Sequence, residues 1–355
     1  MDVVFTICDQ HPLFSDSTEY VSNVKTHMAT LSVDHQSWPI TVNNTEYANA
    51  LICSPYTTYV TFPLSEFNQF KKIWKKILLV INFSVNFFLY RFTQINRVVQ
   101  VNNNLNSLIR HPALFSNHLF SLTEKLIQQY PAHAITFFRV NELLDTPFLK
   151  TLKNAGYIVF PDRPVHVFLL NTNYMNRSHT KRDLSLLKKT NYEILSHNQL
   201  TEQNAIRFEK LYHQLFIEKH SHLNPIYTEK YFRSAIKNHW HTYVALKNQQ
   251  GEIDAFISWF ISDNVMTCGP LGYDIEVDRK TGLYRQLVAI CLDYANRNQF
   301  IFNMGGGSDE FKNNRGSTTT WEYTAVYCNH LPYYRHVPWK ILQWACNQFI
   351  QKIMK

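Results

Sequence analysis

Glycine is scarce in this chain. It supplies 9 of 355 residues, where average usage of about 7% would give roughly 25. Gly156 is alone in the first 250 residues. The other eight fall between Gly251 and Gly316, with Gly305, Gly306 and Gly307 consecutive. A backbone uses glycine for positive φ or for close approach, so the shortage turns attention to the last third of the chain. Cysteine pairs are also missing. Cys8, Cys53, Cys268, Cys291, Cys328 and Cys346 are scattered with no C-x-x-C. That argues against a structural zinc site and predicts reduced, mostly buried thiols in a cytoplasmic protein. There is no G-x-G-x-x-G fingerprint, no Walker A sequence, no heptad array and no repeat at solenoid spacing. Residues 1–10 carry no basic run, so no secretory signal is expected. Ile77 to Phe92 is the one membrane candidate, interrupted by Asn82, Ser84 and Asn86. It falls short of the roughly 20 apolar residues a span needs, and a buried core helix is expected there.

What is present is a core-forming composition, 45% hydrophobic, 15% aromatic and 17% charged, which excludes a disordered chain. The length suits two domains of roughly 150–200 residues. The formal net charge is +8 and the pI about 9.0. That balance favours an anionic partner: a phosphorylated cofactor, an acidic carrier protein, RNA or an anionic membrane surface. Two basic clusters stand out, Lys71, Lys72, Lys75 and Lys76, and then Arg177, Lys181, Arg182, Lys188 and Lys189, the latter opposed by Asp183 alone.

Both halves mix strands and helices. In the first, 47–53 and 59–62 read as short strands, 64–90 as a long buried helix, and 97–101 and 134–139 as strands. Residues 115–129 and 145–155 read as helices, and 157–160 and 165–170 as closing strands. The polar stretch 171–178 marks the domain boundary, giving domains 1–172 and 173–355. In the second half, 182–189, 201–221 and a segment capped by Thr228 read as helices. Strands follow at 241–247, 253–261 and 265–273, then a helix at 282–298, strands at 300–304 and 321–328, and a closing helix from 339.

This order is similar to the GNAT acyltransferase fold. The sequence Gly282-Leu-Tyr-Arg-Gln-Leu-Val-Ala-Ile-Cys-Leu-Asp-Tyr-Ala295, leading to Phe302-Asn-Met-Gly-Gly-Gly-Ser-Asp-Glu-Phe-Lys312, resembles the helix, strand and "FK" signature of FemAB-like, BioF-related GNAT proteins. Lys181-Arg-Asp-Leu, Leu187-Lys-Lys and Lys219-His-Ser-His-Leu-Asn-Pro225 resemble that family's basic helix and substrate-side loop. The likeness covers most of 175–340. It implies an α/β (α+β) fold of two tandem GNAT-like domains, each a mixed, mostly antiparallel sheet flanked by helices. The first would be a degenerate copy acting as scaffold, the second the catalytic half.

The residues themselves carry a chemistry beside that likeness. A glycine before a helix exposes N–H groups and the positive helix end, which suits pyrophosphate. Arg279-Lys-Thr-Gly282-Leu-Tyr284 stands where the resemblance implies the coenzyme A motif, with Tyr284 in place of a small residue. Arg285 lies one residue further on. Cys268-Gly-Pro-Leu-Gly272 predicts a bulge whose freed N–H, at Gly269, would hold a thioester carbonyl. Residues 265–273 and 300–304 are then expected to splay apart. Gly305, Gly306 and Gly307 read as close approach to the donor, with Lys312 beside them. Glu310 is the expected general base and Tyr323, or Tyr327, the expected proton donor to a departing thiolate. His220, Asn224 and Tyr273 are expected to touch substrate. No metal is expected, since the H-x-H pairs at 220–222 and 239–241 lack a carboxylate or thiol partner at ligand spacing.

The implied reaction moves an acyl group from coenzyme A thioester or acyl carrier protein phosphopantetheine to a small amine, by direct attack in a ternary complex. Two alternatives stay open. One is an aminoacyl-tRNA-dependent, Fem-like transferase using the 177–189 basic helix. The other is a non-catalytic binding protein on the same scaffold, docking a carrier or a membrane surface. DNA is not an expected partner.

Overall fold

The computed structural model describes residues 5–8, 16–33, 36–63 and 84–353. Among these, twelve strands form one sheet in the order β1-β2-β3-β4-β5-β12-β6-β11-β10-β9-β8-β7. The first-half strands are β1 (Phe5–Cys8), β2 (His27–Val33), β3 (Gln36–Asn43), β4 (Val98–Val101), β5 (Ala134–Asn141) and β6 (Ile158–Phe168). The second-half strands are β7 (Glu193–Leu195), β8 (Thr242–Lys247), β9 (Ile253–Ser262), β10 (Val265–Tyr273), β11 (Ile301–Gly305) and β12 (Thr318–Tyr327). The helices used below are α1 (Leu114–Gln129), α2 (Thr146–Asn154), α3 (Ser178–Lys188), α4 (Asn204–Tyr212), α5 (Glu229–Lys237), α6 (Leu283–Arg297), α7 (Asp309–Asn313) and α8 (Val337–Ile353).

The sheet is built twice from one plan. Inward from one edge, β1 to β4 pair antiparallel and β4 pairs β5 parallel. Inward from the other, β7 to β10 pair antiparallel and β10 pairs β11 parallel. At the centre the halves exchange strands. β12 lies between β5 and β6, and β6 lies between β12 and β11. Each half is thus completed by a strand of the other, and the mixed, mostly antiparallel sheet flanked by helices runs unbroken across the expected boundary. The amino-terminal segment crosses it too. Tyr20, Val21 and Val24 share a core with Phe208, Tyr227 and Phe232, and Val21 bridges Tyr227.

Most expected elements form, because their apolar stripes have something to cover. On α6, Leu283, Leu287, Val288, Cys291, Leu292 and Ala295 are buried against Phe302, Ile257 and Trp259. Each leucine or valine of this stripe contributes about 1.5–3 kcal/mol. The Thr228 side chain accepts from the Tyr231 N–H and caps α5, a contribution of about 1 kcal/mol. Gly156 lies past α2 at φ +81.

Three expectations fail for physical reasons. Residues 47–53 are turns, and 55–63 are helical with a π-helical turn at Thr57–Thr61. Ser54 Oγ accepts from the Thr57 N–H at 3.0 Å, and Thr58 Oγ1 donates to the Ser54 carbonyl at 2.9 Å. These local bonds draw the chain out of the extended form. The strands expected at 157–160 and 165–170 are one strand, β6. Its prolines are accommodated by a register shift that leaves Asp162 unpaired in the ladder. The helix expected over 201–221 continues from α4 as a π-helical turn, His213–Glu218. Residues 64–83, with the first lysine cluster and part of the apolar stretch to Phe92, lie outside the described residues. Among the described residues no helix is long and apolar enough to cross a membrane, and all six cysteines are free, four of them buried.

Candidate functional site

The parallel pair β10/β11 is short. It holds from Val265↔Ile301 to Thr267↔Asn303. Beyond that, β10 bulges against β9 between Cys268 and Leu271, and β11 shifts register against β6 between Asn303 and Gly305. The expected bulge is present, and the β10/β11 ladder ends after three residue pairs. A cavity of about 540 Å³ opens from this wedge. Cys268, Gly269, Pro270, Leu271 and Tyr273 of β10 form one wall, and Met304 with residues 305–308 another. Phe62, the Asn106–Leu108 loop after β4, Arg163 of β6, and residues from Tyr212 to Tyr227 also line it, with Tyr284 and Lys312.

Among the described residues two cations line this cavity, Arg163 and Lys312, and no carboxylate does. Lys312, on α7, is 2% exposed. Its Nζ donates to the Gly305 carbonyl at 2.9 Å, Gly306 at 2.7 Å and Met304 at 3.4 Å. Burial lowers its pKa to about 8, against partial compensation from Cys268 and Asp309. The glycine run therefore wraps an ammonium group. Arg163 is anchored from behind. Its Nε donates to Glu322 at 2.8 Å and its Nη2 to the Ser107 carbonyl at 2.7 Å. Glu322 is fully buried on β12. Burial pushes the Cys268 thiol up to about 12, so it stands in the wall as a neutral thiol rather than a nucleophilic thiolate.

Behind the bulge lies a buried polar cluster. Asn106 Oδ1 accepts from the Tyr231 hydroxyl at 2.7 Å and from Tyr227 at 3.3 Å. His241 Nε2 approaches Asn106 and Tyr231 at 3.4 Å each. Burial lowers the His241 pKa to about 4, which keeps the ring neutral. A Cβ on Gly269 would lie 2.5 Å from His241 Nδ1 and from Ser258 Oγ. The lack of a side chain at 269 is thus required by the protein's own packing.

Gly269, Tyr273, Gly305, Gly306, Gly307, Lys312, His220 and Asn224 are brought together in the cavity walls. Within that set, Asn224 is committed to a structural bond, its Nδ2 donating to the Phe216 carbonyl at 3.0 Å. The remaining candidates lie elsewhere. Arg279 is exposed and outside the walls. Gly282 is buried, its Cβ position 2.8 Å from Leu186 of α3. Arg285 Nε donates to Asp183 at 2.6 Å, and Arg315 Nε meets the other oxygen of that buried carboxylate at 2.6 Å. Arg285 thus ties α6 to α3. Tyr284 packs between Tyr273 and Phe311 at ring distances of 6.0 and 4.9 Å. Of the start of α6, only Tyr284 reaches the cavity walls.

Glu310 is exposed and outside the walls. Its neighbour Asp309 turns to His166, Oδ1 to Nε2 2.9 Å, while His166 Nδ1 meets Ser317 Oγ at 3.0 Å. Tyr323 points away from the cavity into the first-half core, where its hydroxyl donates to Glu142 at 3.1 Å. Tyr327 joins the same core. Alternation along β12 explains this, since Glu322 faces Arg163 and its neighbour must face the other way. Arg163 and Asn106 escaped the sequence reading. Their signals were a charged pair inside Pro161-Asp-Arg-Pro164, and the asparagine-rich 102–106, which adopts positive φ at Asn102 and Leu105. Among the described residues no group of three or more His, Cys, Asp or Glu side chains is placed to hold a metal ion.

No family model and no curated protein matches the chain. Solved structures resemble it at low identity. The structure of L-PGS from Bacillus licheniformis is 13% identical, with a TM-score of 0.48 over 69% of this chain and 82% of that one. FemX is 11% identical, with a TM-score of 0.45 over 59% and 75%. A tandem GNAT protein from the clavulanic acid biosynthesis pathway is 12% identical, with a TM-score of 0.40 over 66% and 76%. These neighbours are GNAT-like in fold, and the likeness is one of fold alone.

Proposed function

We propose that this protein is an acyl-group transferase working in the β10/β11 cavity, moving an acyl or aminoacyl group from a thioester or ester donor to an amine. The observation that carries this reading is a wedge between two parallel strands with a bulged wall, lined among the described residues by two cations and no carboxylate. In the reaction, the amine nitrogen bonds to the donor's carbonyl carbon and the C–S or C–O bond breaks. The proton lost by nitrogen goes to the departing thiolate or alkoxide. The cavity contributes orientation of the two reactants. The positive charge at this end of the cavity, present on Lys312 below about pH 8, stabilises negative charge as it develops on the carbonyl oxygen and leaving atom. Cys268 stays a wall residue, and no covalent enzyme intermediate is needed. The repeated sheet plan supports treating 1–172 and 173–355 as two copies of one unit.

The donor is the open variable. A carrier-protein or coenzyme A thioester remains in this reading, with its phosphate-bearing part bound elsewhere than the start of α6. Aminoacyl-tRNA is favoured by one observation. Arg177, Lys181, Arg182, Lys188 and Lys189 are all exposed, while Asp183 between them is buried and neutralised. That leaves a basic helix face suited to phosphates. The test incubates the whole chain with acyl-coenzyme A, acyl carrier protein or aminoacyl-tRNA and a panel of amines. Mass spectrometry then reads product and free thiol or deacylated tRNA. One donor should turn over and also raise the melting temperature. Ligand-induced stabilisation without turnover for every donor would replace the enzyme with a binding protein.

A further inference from the structure

The two cations of the cavity meet at one place. Lys312 Nζ holds the Gly306 carbonyl at 2.7 Å, and a Cβ on Gly306 would lie 3.9 Å from Arg163 Cδ. The three Nζ hydrogens are turned to carbonyls, so Lys312 offers charge and no free donor. Arg163 offers the donor. Its Nε and Nη2 are fixed by Glu322 and the Ser107 carbonyl, and among the described residues nothing is bonded to Nη1. Its side chain stays 27% exposed in the cavity wall, while Glu322 is 0% exposed behind it. A guanidinium held from behind, with one edge left to a cavity, is oriented for an oxyanion. Among the described residues no carboxylate lines the walls, so an anionic ligand group would meet two cations there.

We infer that the Gly306 end of this cavity is an anion subsite, in which Arg163 Nη1 hydrogen-bonds a phosphate or carboxylate of the substrate and Lys312 supplies a second positive charge. Glu322 is its positioning residue, setting the plane of the Arg163 guanidinium from the strand exchanged out of the second half. Assigning the anion to a substrate rests on the transferase reading, whereas the subsite itself does not. The expectation of a phosphate at Gly282 and Arg279 is thereby moved to the opposite side of the wedge. A pH dependence follows. Cys268 from β10, Asp309 from α7 and Arg163 from β6 face Lys312. With the lysine pKa near 8, its charge is present below that pH and lost above it.

The experiment titrates the whole chain with sulfate, pyrophosphate and succinate at constant ionic strength, read by calorimetry and by thermal shift. Saturable binding of sulfate is expected. Pyrophosphate tighter than succinate identifies a phosphate-bearing ligand, and the reverse order a carboxylate-bearing one. Affinity should fall about tenfold in R163M/E322Q, which removes both charges and so avoids stranding a buried carboxylate. It should stay within twofold in R279M. Sulfate keeps its charge between pH 7 and 9.5, so its affinity should weaken several-fold over that range in the wild type and not in K312M. Absence of saturable binding overturns the inference, as does loss of affinity in R279M in place of the double variant. Anion binding without transfer from any donor would sink the transferase reading and leave the subsite standing.

Discussion

The two halves share a strand plan and differ in what occupies the place where the parallel pair ends. In the second half, β11 runs past its pairing with β10 into the glycine run, and the wedge stays open as the cavity. In the first, β5 continues past Thr136. There His111 Nε2 meets the Phe138 carbonyl at 2.7 Å, and the His111 ring packs on Phe137 and Phe148 at 5.7 and 5.5 Å. Phe115 completes the cluster, 6.0 Å from Phe137. The loop that leaves β4 crosses over and supplies Asn106, Ser107 and Leu108 to the other half's cavity. The first-half wedge is filled by core side chains, and the second-half wedge opens as the cavity. A wedge between diverging strands is a default opening that large side chains must fill if it is not used.

The largest effects should come from attacking that difference. Phe137→Ala removes the centre of the filled wedge and should cost about 3–5 kcal/mol in urea unfolding. Sulfate binding by the folded fraction should be unchanged, and a loss of binding would mean that the halves do not divide core from site. Arg163→Met alone strands Glu322 and should cost about 3–5 kcal/mol. Adding Glu322→Gln should recover most of it, and failure to recover would remove Glu322 as the reason.

A smaller effect concerns Lys312. Its folded pKa, near 8, lies below the 10.5 of the free side chain, so between these values the unfolded chain holds the extra proton. Stability of the wild type relative to Lys312→Met should therefore rise between pH 8 and 10.5, by up to about 3 kcal/mol. A flat difference across that window would place the ammonium in solvent.

The mildest test sets two glycines against each other. Gly272→Ala would push a Cβ to 2.7 Å from the Leu211 and Tyr212 backbone, costing about 1–3 kcal/mol. Gly307 has φ +75 and open space around it, so Gly307→Ala should cost about 1 kcal/mol from backbone conformation alone. Equal costs would mean that the last third uses glycine for φ throughout.

The elements of the second half were legible in advance because their patterns are strong. The α6 stripe, the Thr228 cap, the paired turns before β9 and β10, and the Cys268-Gly-Pro-Leu-Gly272 bulge are local features with local causes. The first half was harder. In residues 27–33 the alternation of Ala29, Leu31 and Val33 with Thr30 and Ser32 is short, and the Ser54–Thr58 bonds override a strand-like composition. The late glycines did outline the cavity, though for mixed reasons. Gly269 and Gly272 yield to the protein's own side chains and helix, while Gly306 and Gly307 border the open space. Gly316 clears Arg177, with φ +88.

The sequence by itself determined most helices and strands of the second half, the bulge and the glycine-lined wall, because each follows from neighbours within a few residues. Tertiary structure alone decided which charges meet there. Arg163 and Glu322 stand 159 residues apart, and the exchange of β6 and β12 makes them partners. The same exchange turns Tyr323 into the other half's core, and the closeness of α3 to α6 claims Arg285 for Asp183. Charge placement depends on strand order and on which face each residue meets, and neither is written in local spacing.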